Sequence, residues 1–286
     1  MMPTPLPRLM VEPLVRAALV EDLGRAGDLT TDAIVPLDTT ATMVLAARQP
    51  GVIAGLDVAA LAFELIDPRV EVAPIHPDGV AISAGDAIAT VHGPARTLLT
   101  AERTALNFLC HLSGIATQTA TVVEAVGAYK ARIVCTRKTT PGLRALEKYA
   151  VRAGGGANHR FGLDDAVLIK DNHIAIAGDV RTAIERVRAA AGHMVKIEVE
   201  VDTLEQLDTA LAAGVDAVLL DNMSVEQLAR AVGMVGSRAI TEASGRITAQ
   251  TAPAIAATGV DLISIGWITH SAPILDIGLD VPERGR

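Results

Sequence analysis

The chain has 286 residues, half of them hydrophobic and only 2% aromatic, with a formal net charge of −8, so it can bury one full core or two domains built mainly from Ala, Val, Leu and Ile. A pI near 5.4 argues against a nucleic-acid surface, which needs an extended basic face. No segment approaches the ~20 uninterrupted apolar residues of a membrane span, and residues 1–10 hold no apolar run long enough for a signal sequence, so a cytoplasmic protein without a membrane partner is expected.

Helical periodicity covers Val11–Leu23 and Val58–Ile66, and short runs broken by turn residues predict strands at Thr42–Ala46, Val70–Pro74, Val80–Ile82 and Ala87–Val91. Residues 1–113 therefore read as a small α+β, sandwich-like domain, which the tail 271–286 is expected to join. Thr97 to Gly114 reads as a stronger helix ended by its glycine. Leu98, Ala105, Leu109 and Leu112 share one face, and Thr100, Arg103, Asn107 and His111 share the other. Cys110 and Cys135 stand in apolar surroundings without metal-ligand spacing, as buried reduced thiols do.

Residues 114–270 repeat a unit of strand, polar end residue and capped helix. Strands are expected at Ile133–Thr136, Val167–Ile169, Lys196–Val201, Ala217–Leu220, Ala239–Thr241 and Leu262–Ile265, mostly short apolar runs suited to parallel strands buried on both faces. Ser224 with Gln227 has the spacing of a capping box, and Gly192, Gly214 and Gly259 mark helix ends. Successive βα units at these spacings predict an α/β barrel. Six strands are fewer than eight, so the barrel is irregular or incomplete, or further strands lie near Gly114 or Asn158.

In such a fold the chemistry gathers where strands end. Those positions are polar throughout: Arg137 and Lys138, Lys170 and Asp171, Glu198 and Glu200, Asp221 and Asn222, Glu242 and Ser244, then Gly266 and His270. Between Lys130 and Lys170 nine Lys/Arg face three acids, a net +6 inside an acidic chain, which focuses potential on a small multiply charged anion. Arg137 and Arg160 can grip a carboxylate or phosphate bidentately, with Lys138 and Lys170 as point charges; any one of these cations alone would read as a solvated surface residue. Glu198 and Glu200 share a strand face and, with Asp221, can hold a divalent cation or ribose hydroxyls; an exposed edge strand would show the same alternation. The turns Glu242–Arg246 and Ile265–His270 suit phosphate binding through backbone N–H groups, although plain strand-to-helix turns use the same residues.

Taken together, Thr136–Gly142, Glu147–Tyr149, Gly154–Gly156, His159–Arg160, Lys170–His173, Glu198–Glu200, Leu220–Asn222, Glu242–Gly245 and Thr269–Ser271 resemble the quinolinate phosphoribosyltransferase family over essentially the whole chain. The resemblance implies phosphoribosyl transfer from phosphoribosyl pyrophosphate to quinolinate, with loss of CO2. It places quinolinate at Arg137, His159, Arg160 and Lys170, with Arg103 supplied by a neighbouring subunit, so a homodimer or larger homo-oligomer is implied. It places phosphoribosyl pyrophosphate and Mg2+ at Lys138, Glu200 and Asp221, and the 5′-phosphate at Ser244, Gly245, Gly266 and His270. The catalytic set is then Lys138, Lys170, Glu200 and Asp221, the last two also ligating the metal. Arg246 and Trp267 are bulkier than expected beside the phosphate turns and either contact the phosphate or crowd it. Other readings are a related family associated with molybdenum transport, a non-catalytic pyridine-dicarboxylate sensor, and a Schiff-base aldolase using Lys170. The cations at 103, 137, 160 and 170, together with Glu200 and Asp221, favour the transferase.

Overall fold

The computed structural model describes residues 3–282. In chain order the elements are α1 (Arg8–Leu23), α2 (Leu29–Ile34), β1 (Thr40–Ala47), β2 (Gly51–Val52), α3 (Leu56–Ile66), β3 (Glu71–Pro74), β4 (Ala81–Ile82), β5 (Ala87–Pro94) and α4 (Ala95–Ala125). There follow β6 (Arg132–Val134), α5 (Arg144–Ala153), β7 (Val167–Ile169), α6 (Asp171–Ala177), α7 (Val180–Ala190), β8 (Ile197–Val201) and α8 (Leu204–Ala213). The chain ends with β9 (Ala217–Asp221), α9 (Val225–Val235), β10 (Ile240–Ser244), α10 (Ala252–Ala256), β11 (Leu262–Ser264), α11 (Trp267–His270) and β12 (Ile277–Asp280).

The residues form two compact units. Among the described residues, the first takes 3–120, Thr139–Gly155 and 268–282; the second takes Thr121–Lys138 and Gly156–Trp267. This division is finer than a single boundary at residue 113, because α5, which lies between β6 and β7 in the chain, belongs with the first unit.

In the first unit, β12–β1–β5–β3 form an antiparallel sheet, with β2 and β4 paired separately. Alternate residues of β1 (Met43, Leu45 and Ala47) are buried, the period-two signature of a sheet with one face on a core. Leu98, Ala105, Leu109 and Leu112 of α4 are fully buried, as the helical spacing predicted. The helix does not stop at Gly114, however. A Cβ there would collide with the carbonyl of Pro273, so this glycine serves close packing of the chain's last segment rather than capping. Gly154 is constrained in the same way by the Ala116 carbonyl.

The second unit carries six parallel strands in the order β6–β11–β10–β9–β8–β7. Read cyclically this is chain order with one interruption, between β6 and β7. It is the incomplete barrel expected from the sequence, and residue Ala157 adds only a single bridge to Val134 there. Val199, Val218, Leu220 and Ile263 are wholly buried, which accounts for the apolar runs. The helices start on local caps: Asp179, Thr203 and Ser224 accept the backbone N–H of Thr182, Gln206 and Gln227, and Gly214 ends α8 in the left-handed region.

Candidate active site

The parallel sheet delivers most of the expected site residues to the second unit, at or just beyond the strands' carboxyl ends. Lys170 directly follows β7, and its Nζ lies 2.8 Å from Glu200 Oε2 on the neighbouring strand β8. Its backbone N–H donates to His173 Nδ1 at 2.9 Å. His173 therefore closes the start of α6 and fixes where the lysine leaves the strand, which gives the Lys170–His173 motif a structural reason. Asp221 ends β9, and Asn222 holds it by donating from Nδ2 to Oδ2.

Asn222 is a supporting residue that sequence reasoning left without a role. It takes a positive φ of 52°, accepted most readily by Asn, Asp and Gly. Its N–H donates to the Ser244 carbonyl at 3.0 Å, and its side chain occupies the space a Cβ on Gly245 would need. Gly245, itself at φ 110°, is thus required twice over, by conformation and by space. The Asp-Asn dipeptide followed by a Ser-Gly turn one strand later was the available signal. Trp267 Nε1 donates to the Ile247 carbonyl at 2.8 Å, so the indole ties down the segment after that turn. Arg246 is exposed, with φ 49°.

Arg160 has the surroundings best suited to an anion. Burial, then the charge of Arg137, lower the pKa of its guanidinium. Nη1 donates to the Ala166 carbonyl at 2.9 Å, while the buried Nε has no hydrogen-bond partner among the described residues. Two guanidinium groups that repel each other, one with an unsatisfied buried N–H, form a place where a carboxylate is favoured on both counts.

Glu198 and Glu200 do face the same side of β8, but Glu198 is already engaged. Its Oε2 lies 2.9 Å from His159 Nε2, and Glu242 Oε2 lies 3.6 Å from the same nitrogen. Glu242 is 1% exposed, with Oε1 unpartnered among the described residues, and burial, then Glu198, push its pKa up to about 7. The ligand atoms of His159, Glu198 and Glu242 lie within 4.8 Å of one another, close enough for one ion. The ring's other nitrogen argues against that use. Nδ1 accepts the Arg160 backbone N–H at 2.7 Å, so in this arrangement the proton is on Nε2 and no lone pair remains there for a metal.

Two expected residues belong to the first unit. His270 ends α11, is exposed, and has Nδ1 2.6 Å from Ser271 Oγ. Arg103 is exposed on α4 and borders a cavity of about 490 Å3 with Glu21, Asp22, Asn107, His111 and Thr140. In the same unit the Glu147 carboxylate, wholly buried, accepts from the Thr140 N–H at 3.1 Å and sits 2.9 Å from His111 Nε2; Tyr149 donates to Asp78 at 2.7 Å. The Glu147–Tyr149 motif thus anchors α5 within its unit. Cys110 and Cys135 are buried and in no disulfide among the described residues.

Residues 28–113 match the family description "Quinolinate phosphoribosyl transferase, N-terminal domain" and residues 115–280 the corresponding C-terminal domain. The chain belongs to the quinolinate phosphoribosyltransferase family. A family relative named "Nicotinate-nucleotide pyrophosphorylase [carboxylating]" from Mycobacterium leprae is 50% identical over 93% of this chain and 95% of its own length. A Bacillus subtilis relative of the same name, qualified as probable, is 45% identical over 96% and 94%. Among solved structures, NadC from Streptococcus pyogenes has a TM-score of 0.94 at 44% identity, covering 97% of this chain and 98% of that one. The Francisella tularensis nicotinate-nucleotide pyrophosphorylase gives 0.93 at 39% identity, covering 96% and 97%.

Proposed function

We propose that the sheet's polar end carries out a ribosyl transfer that the residues above divide among themselves. The protein is a carboxylating nicotinate-nucleotide pyrophosphorylase: it transfers phosphoribosyl from phosphoribosyl pyrophosphate to quinolinate, releasing pyrophosphate and CO2. The observation that carries the assignment of residues is the Arg137–Arg160 pair with its unsatisfied buried N–H. Quinolinate offers two carboxylates; Arg137, Arg160 and Lys170 receive them, and Arg103 joins them from a neighbouring subunit, making a homodimer the smallest active assembly. His159 supports this group rather than touching substrate, a revision of its expected role that its two engaged nitrogens motivate.

Lys138, Glu200 and Asp221 hold the phosphoribosyl pyrophosphate. Glu200 and Asp221 are half-buried carboxylates on adjacent strands, oxygen donors of the kind Mg2+ prefers. Mg2+, when bound, supplies positive charge to the departing pyrophosphate. Ser244, Gly245 and Gly266 take the 5′-phosphate, Gly245 in its left-handed turn allowing close backbone approach. No protein nucleophile is needed, since the pyridine nitrogen attacks C1 of the ribose. The residues' work is positioning and electrostatics: carboxylates beside an electron-poor C1, lysines beside the leaving group. Cytoplasmic placement belongs to the same reading, and no helix among the described residues is long and apolar enough to cross a membrane.

Release of labelled CO2 from carboxyl-labelled quinolinate tests it. Release that requires phosphoribosyl pyrophosphate and Mg2+ is expected. Arg137→Ala is expected to lower kcat/KM for quinolinate by about a hundredfold, the loss of one charge-assisted bidentate contact of about 3 kcal/mol. Tight quinolinate binding without CO2 release would instead identify a sensor.

A further inference from the structure

Arg160 stands in the segment between Ala157 and β7, outside any helix or strand, and its guanidinium is set beside another of the same charge. Left alone, such a segment would relax so that the two cations separate. Two restraints oppose this. The Asp165 carboxylate accepts the N–H groups of Phe161 and Gly162 at 2.6 and 3.0 Å, and Arg160 Nη1 reaches the Ala166 carbonyl. These fix the far side of the segment. On the near side the restraint is His159, whose Nδ1 accepts the Arg160 N–H and whose Nε2–H donates to Glu198 on β8, a strand with wholly buried Val199 and Val201.

We propose that Glu198 is a positioning residue for the acceptor substrate: by holding His159 as its Nε2–H tautomer it fixes the Arg160 backbone and keeps that guanidinium beside Arg137. The inference rests on the placement of quinolinate at Arg137 and Arg160 given above. Glu198 touches neither substrate; it acts through His159. The geometry asks for a hydrogen-bond acceptor at this position, not for a charge, so the two replacements that separate those properties differ in outcome. Misplacement by about 1 Å can cost a hundredfold in rate, so even partial release of the ring is measurable.

The test compares Glu198→Leu, which removes the acceptor, with Glu198→Gln, which keeps one. In steady-state kinetics on the full-length enzyme, Glu198→Leu is expected to raise KM for quinolinate about tenfold while KM for phosphoribosyl pyrophosphate stays within about twofold, and Glu198→Gln is expected to restore most of the loss. Nitrogen-15 spectra of the His159 ring are expected to show one fixed Nε2–H tautomer in the wild type and Glu198→Gln, and exchange between tautomers in Glu198→Leu. An unchanged quinolinate KM in Glu198→Leu, or equal rises in both KM values with a lowered melting temperature, would overturn the proposal. The site reading has its own control: if Arg160→Ala leaves KM for quinolinate unchanged, quinolinate does not sit there. If Arg160→Ala raises KM but Glu198→Leu does not, only the positioning role falls.

Discussion

Glu147 and Glu242 are both buried glutamates near a histidine, one in each compact unit, and their surroundings differ. Both oxygens of Glu147 have partners, His111 Nε2 on Oε1 and the Thr140 N–H on Oε2. Glu242 has Oε1 unpartnered among the described residues, Oε2 3.6 Å from a histidine whose proton already goes to Glu198, and a second carboxylate nearby, with only the Ser264 hydroxyl and His159 opposing its upward shift. A buried charge that is fully hydrogen-bonded holds structure together, whereas one left incomplete is destabilised in its ionised form and takes up a proton. Satisfaction, rather than burial, separates the anchoring glutamate from the one beside the candidate site.

Breaking the satisfied member should cost most. Glu147→Ala strands the Thr140 N–H and the His111 ring and leaves a void, an expected destabilisation of about 4 kcal/mol in chemical denaturation. Glu147→Gln, which can still accept from Thr140 and donate toward His111, is expected to cost about 1 kcal/mol. If the two replacements cost the same, the carboxylate's hydrogen bonds are not what anchors the segment.

The unsatisfied member is expected to make stability depend on pH. The folded-state pKa of Glu242 is raised to about 7 from its ordinary value of 4.5. A raised carboxyl pKa means that the group's contribution to stability is fully present below about 4.5 and is lost as pH rises through 7. Glu242→Gln removes the titration, so relative to wild type it should gain stability between pH 5 and pH 8, by a plateau on the order of 3 kcal/mol. Denaturation curves at the two pH values check this; a constant difference would show that the buried carboxyl does not take up the proton.

The same contrast explains what the sequence made legible. All six parallel strands, the incomplete barrel and the cationic block were visible because buried parallel strands leave apolar runs and strand ends leave polar residues in register. Gly114 misled because helix-ending and close-packing glycines look alike in sequence; only the Pro273 carbonyl, far along the chain, tells them apart. The partners of Glu147, Glu198 and His159 were hidden for a related reason. Same-strand spacing correctly put Glu198 and Glu200 on one face, but which histidine, lysine or cation each meets depends on segments about 30 to 40 residues away. Asn222 likewise stood at a strand end without a role of its own until its positive φ and its contact with Gly245 were in view.

The smallest effect is expected at Trp267, which extends the comparison to a neutral donor. Its indole N–H is satisfied by the Ile247 carbonyl, so it should behave as Glu147 does and contribute to stability without tuning the site. Trp267→Phe removes the hydrogen bond together with part of the ring, an expected cost of about 1 to 2 kcal/mol. If the indole only supports the chain after the Ser244-Gly245 turn, KM for phosphoribosyl pyrophosphate should stay within about twofold, since one neutral bond outside the site leaves bound and free enzyme equally affected. A tenfold change in that KM, at unchanged stability, would mean that Trp267 contacts or crowds the phosphate, and the distinction between satisfied supports and unsatisfied site groups would then fail at this residue.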